Sequence, residues 1–91
     1  MLPTPIPENM KYLFEKADYL LTEEDYTLLK KKHNRAKNLK ENNGAIYSGL
    51  TQSAVIWLAT AYDAKKCINK KAFDDVIERL SNIHIKLFSN I

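Results

Sequence analysis

Residues 69–87, NKKAFDDVIERLSNIHIKL, set apolar side chains at Phe73, Val76, Ile77, Leu80, Ile83 and Leu87 and leave Asp74, Asp75, Glu78, Arg79 and Lys86 on the opposite face. Apolar residues recurring at three- and four-residue steps describe an amphipathic α-helix. Asn69 is its N-cap, because an asparagine oxygen can accept one of the orphan N–H groups of the first turn. Working upstream, residues 42–62 contain no charged side chain. They do contain Ser48, Gly49, Thr51, Gln52, Ser53 and Thr60, and fall short of the roughly 20 predominantly apolar residues of a membrane span.

This segment predicts a helix that starts between Ser48 and Gln52, capped by Ser48 or Thr51. It carries Leu50, Ala54, Trp57, Leu58, Ala61 and Ala64 on one side and Val55 and Ile56 on the other. Being apolar nearly all round, it is expected to be the central and most buried helix, running on to Lys66. Asn42, Asn43 and Gly44 break the chain before it, since both residue types tolerate the positive φ at which helices end.

Two further helices precede the break. Thr22 is an N-cap followed by Glu23, Glu24 and Asp25, which place negative charge on the positive end of the helix dipole. That helix runs to about Glu41, with a thin apolar stripe of Leu28 or Leu29, Lys32 or His33, Ala36 and Leu39. Pro7 suits a first turn, and Met10, Leu13, Phe14, Ala17 and Leu20 or Leu21 predict a helix over Glu8 to Leu21. Apolar and polar residues nowhere alternate strictly, so no sheet is expected. Short connections favour antiparallel neighbours. The expected fold is therefore all-α: a compact antiparallel four-helix bundle, one domain over residues 1–91 with residues 1–7 as an extended arm.

Composition narrows the function classes. Apolar residues at 45% and charged residues at 27% are globular values and exclude a disordered or collagenous chain. A chain of 91 residues buries only about 60–65% of its unfolded surface, which leaves little for a deep pocket. A single cysteine, Cys67, supports neither an intramolecular disulfide nor a cysteine-based zinc site and suits a reducing, cytoplasmic compartment. The three prolines of residues 1–7 do not make a secretory signal.

No catalytic, metal or cofactor site emerges. His33 and His84 belong to different predicted helices, and neither has a second ligand at metal spacing. His84 is expected to be partly buried and hydrogen-bonded, and Cys67 to be a small buried hydrophobe near a helix end. Asp74 and Asp75 point about 100° apart on a helix and do not form a carboxylate pair. The chain lacks the convergent titrating groups that an enzyme needs.

The most unusual feature is Lys30, Lys31, Lys32, Arg35, Lys37 and Lys40, six cations within eleven residues and no acid among them. One reading is a solvated helix face, paired with acids of neighbouring helices. The other is an anionic partner: nucleic acid, an anionic membrane surface or an acidic protein. The net charge is only +3, so the chain is dipolar and not globally basic. Sequence-specific DNA binding of the helix-turn-helix type is not expected. The segment from Gly49 resembles the opening of such a motif, but no glycine-containing turn and second short helix follow.

The run Ala54-Val-Ile-Trp-Leu-Ala-Thr-Ala-Tyr-Asp-Ala-Lys-Lys-Cys-Ile-Asn-Lys-Lys71, followed by Phe73 to Ile85, resembles the pediocin-like bacteriocin immunity proteins over roughly the last forty residues. The likeness lies in spacing and residue class: a third helix ending in a lysine-containing turn and a fourth patterned like Val76-Ile77-Glu78-Arg79-Leu80-Ser81-Asn82-Ile83. The Pro-rich start and the basic second helix depart from that family. The resemblance implies a small non-enzymatic protein-interaction module in the cytoplasm, at the inner face of the membrane. It would protect its producer by acting on a bacteriocin-bound sugar permease complex, with specificity in the C-terminal part. The residues implied for the protein partner are Ile83, Lys86, Leu87, Phe88 and Ile91.

Overall fold

The computed structural model describes residues 5–43 and 45–84, apart from the side chains of residues 40, 42 and 43. Four helical elements account for most of them: a 3₁₀ helix over Glu8–Leu13, α1 over Glu23–Asn43, α2 over Gly49–Asp63 and α3 over Lys70–Ser81. The described residues contain no strand, only an isolated antiparallel bridge between Tyr19 and Ile68. The protein is all-helical. The three α-helices pack on one another in all pairs, and the 3₁₀ helix packs on α2 and α3.

Local chemistry fixes each start. Thr22 and Asp25 form a reciprocal capping box: the Asp25 N–H donates to Thr22 Oγ1 at 3.1 Å and the Thr22 N–H to the Asp25 carboxylate at 3.0 Å. Ser48 Oγ accepts from the Leu50 and Thr51 N–H groups, and Asn69 Oδ1 from the Ala72 N–H at 3.0 Å. Each α-helix contributes fully buried residues to one core: Leu29 and Ala36 from α1, Ala54, Leu58 and Ala61 from α2, Val76 and Leu80 from α3. Leu13 joins them from the 3₁₀ helix and Ile68 from the bridge.

The first helix is much shorter than its pattern predicts. Beyond Leu13 the carbonyls needed for an α-helix are taken by another part of the chain. The Leu13 carbonyl accepts the Asn69 N–H at 2.7 Å, and the Glu15 carbonyl accepts Asn69 Nδ2 at 2.7 Å. Tyr19 then bonds Ile68 through both its N–H and its carbonyl, at 3.1 and 2.7 Å. Tertiary hydrogen bonds thus override helical spacing, and Lys16 takes a left-handed φ of 52° in the turn.

The second and third connections also differ from expectation. α2 ends at Asp63, not Lys66, and it is not buried all round: Leu50 is 54% and Ile56 62% exposed. A 15-residue helix touching the others on one side must turn its remaining arc outward. Its end is a Schellman turn, with the Lys66 N–H on the Ala61 carbonyl and the Lys65 N–H on that of Tyr62. Lys65 occupies the left-handed position, at φ 56°, where glycine is usual. Lys65→Gly should therefore raise stability by about 0.5–1 kcal/mol by removing the Cβ strain. Lys65→Val should lower it, and thermal unfolding followed by circular dichroism reads both.

α3 stops at Ser81, short of the expected Leu87. Ser81 Oγ bonds back to the Ile77 carbonyl at 2.9 Å, and the Asn82 N–H closes the last turn on Glu78. Past that point the helical phase is lost, so Ile83 remains buried while His84 is exposed and not partly buried as its helical position predicted. Cys67 is likewise exposed. In the extended segment beside Tyr19 successive side chains alternate, and Ile68 takes the inward place.

Candidate anion-binding surface on the basic helix

α1 meets the core through a narrow stripe. Leu29 and Ala36 are fully buried and Leu39 packs against them, whereas Leu28 is 38% exposed. This settles the alternative between Leu28 and Leu29. With the core stripe on one side, the opposite arc presents Thr27, Lys30, Lys31, Asn34, Arg35, Lys37 and Asn38, all exposed. Lys32 is half-buried, and the side chain of Lys40 lies outside the described residues. The cations are thus concentrated on the solvent arc of α1, with asparagine amides between them.

Among the described residues no acid forms an ion pair with this surface. Among the described residues the ion pairs are Glu8–Lys11 at 3.2 Å and Lys70–Asp74 at 2.8 Å, each within its own helix. None involves a cation of α1. Lys30 Nζ lies 6.0 Å from the centre of the Tyr26 ring, itself stacked on Tyr62 of α2 at 4.4 Å. Arg35 donates Nη1 to the Ile83 carbonyl at 3.2 Å, tying α1 to the end of α3. Its remaining guanidinium donors are additional to that bond. Lys30 and Lys37 are two helical turns apart, about 10 Å along the axis.

His33 sits within the same cationic strip. Its Nδ1 is 2.6 Å from the Tyr47 hydroxyl, and the two rings meet edge-on at 5.6 Å. Burial first, then the charges of Lys30 and Lys37, hold its imidazole below the usual histidine range. Burial alone pushes the Tyr47 phenol up to about 12. At the N-terminal end of α1, burial pushes the Asp25 carboxyl up. Hydrogen bonds from Thr22 and from the Tyr19 hydroxyl, with Lys70 nearby, outweigh that and hold it below its ordinary value.

Of the residues expected to meet a protein partner, Ile83 lies in the core and its side chain is not presented outward. Lys86, Leu87, Phe88 and Ile91 lie outside the described residues. The spacing of His33 between Lys30 and Lys37 is legible in the sequence, but its pairing with Tyr47, 14 residues away, has no local signal. The described residues contain no group of three or more His, Cys, Asp or Glu side chains that could hold a metal, and no helix long and apolar enough to cross a membrane. Compared with known proteins, the chain matches no family model, no curated protein and no solved structure.

Proposed function

We propose that the protein is a small non-enzymatic binding module whose contact surface is the cationic face of α1, and that its partner is the phosphate backbone of a nucleic acid. One observation carries this reading: Lys30, Lys31, Arg35 and Lys37 are exposed together and none pairs with a described carboxylate. Insertion of α1 into a bilayer fits less well, because a helix lying in a bilayer needs its apolar face outward, and α1 turns that face into the core. Nucleic acid needs only cations and hydrogen-bond donors, which this face interleaves with Asn34 and Asn38. Binding should be independent of base sequence. Replacing Lys30, Lys31 and Lys37 together with Gln tests it through the salt dependence of duplex binding.

A second reading, an immunity protein of the pediocin-like class acting on a membrane permease complex from the cytoplasm, is supported by a different observation. The lysine-containing turn at Lys65 joins α2 to an amphipathic α3, as that resemblance implies. On this reading the four helical elements, the 3₁₀ helix included, run antiparallel in succession as a four-helix bundle. Expression in bacteriocin-sensitive cells should protect them, and truncation after Ile85 should abolish protection while cooperative unfolding persists. Unchanged protection by the truncated chain would show that the C-terminal residues play no part in immunity.

A further inference from the structure

We propose that polyanion binding to α1 is proton-linked through His33, so that the complex takes up a proton on forming and tightens as pH falls. The inference rests on the cationic face being the binding surface. His33 stands one turn from Lys30 and one turn from Lys37, and both ammonium charges act on its ring, so an anion bridging those two lysines acts on it too, with opposite sign. The ring is half-buried and held by Tyr47, whose carbonyl accepts Gln52 Nε2 at 3.2 Å and fixes the segment in turn. Among the described residues, the charged and titratable groups acting on His33 are Lys30 and Lys37 from α1 and Tyr47 from the α1–α2 connection, and no carboxylate acts on it.

The hydrogen bond survives a change of charge. With neutral His33 as its Nε2–H tautomer the Tyr47 O–H donates to Nδ1; with the Nδ1–H tautomer or the imidazolium, Nδ1–H donates to the Tyr47 oxygen. Protonation therefore needs no local unfolding, and what opposes it is burial and the charge of the two lysines. A bound phosphodiester offsets that charge and raises the proton affinity of the ring. By linkage the proton must raise the affinity for the phosphodiester to the same extent. The sign follows: the complex holds more protons than the free protein, so affinity rises as pH falls from the midpoint of the complex towards that of the free protein, which lies below the ordinary imidazole value.

The test is fluorescence anisotropy of a short DNA duplex at constant ionic strength, at about pH 7.5 and about pH 5.5, where histidine titrates and phosphodiesters do not. The wild type and the exposed-histidine variant His84→Gln should bind about five-fold or more tightly at the lower pH, an ordinary coupling. His33→Asn, whose amide can replace Nδ1 beside Tyr47, should lose that dependence. An NMR titration of the His33 ring in the wild type, with and without duplex, should show its midpoint rise in the complex, and it decides alone if the variant does not fold. Affinity unchanged with pH, or pH dependence retained by His33→Asn, overturns the linkage and leaves the binding surface standing. Absence of binding at both pH values overturns both.

Discussion

Asn69→Ala should lower stability by about 2 kcal/mol, a large share of the 5–15 kcal/mol typical of a whole domain. Asn69 is more than a helix cap. Its Oδ1 accepts the Ala72 N–H, its Nδ2 donates to the Glu15 carbonyl and its backbone N–H donates to that of Leu13. Alanine removes the first two; deleting an N-cap costs about 1 kcal/mol and deleting a side-chain hydrogen bond about the same. The melting temperature should fall by roughly 10 °C, given about 4–8 °C per kcal/mol in a domain of this size. Asn69→Asp separates the two roles. An aspartate keeps the cap and favours the helix dipole, but it sets an oxygen against the Glu15 carbonyl. It should be destabilising as well, whereas a pure cap would be improved. Stability above wild type in Asn69→Asp would show that the bond to Glu15 contributes nothing.

Lys30→Gln, Lys31→Gln and Lys37→Gln combined should weaken binding to duplex DNA severely while leaving the fold intact. All three are exposed and none is in an ion pair with a described residue, so each substitution should change stability by less than about 0.5 kcal/mol. Each lysine that no longer neutralises a phosphate should flatten the slope of log affinity against log salt by about 0.9 for duplex DNA, because fewer condensed counterions are released. A control triple of Lys11→Gln, Lys66→Gln and Lys71→Gln, also exposed but outside α1, removes the same net charge. Equal weakening by both sets would mean that only overall charge matters. Weakening confined to the first set assigns the surface to α1.

The all-helical class and the caps at Thr22 and Asn69 are legible in the sequence because they depend on neighbours in the chain, whereas the choice of Ser48 over Thr51 as the α2 cap is made by the structure. The spacing of Val76 and Leu80, or of Leu29 and Ala36, likewise reports a local period. What is not legible is tertiary. Nothing near Phe14 says that Asn69 will take the carbonyls on either side of it, so a six-residue 3₁₀ helix and an extended Tyr19 stand where spacing alone continues a helix. The exposure of Ile56 and Leu50 depends on how many helices surround α2, which its own composition does not encode. The cationic run is plain in the sequence, but its register is not. That Lys30, Lys31 and Lys37 face outward while Lys32 turns partly inward follows from which of Leu28 and Leu29 enters the core.

If the solvent face of α1 is the binding surface, an NMR chemical-shift map of the labelled protein titrated with a short DNA duplex should show it without any substitution. The predicted result is a footprint on the amides of Lys30, Lys31, Asn34, Lys37 and Asn38, with salt reversing it. A footprint centred on α2 near Leu50 and Ile56, on residues 85–91, or nowhere on the chain, would contradict it.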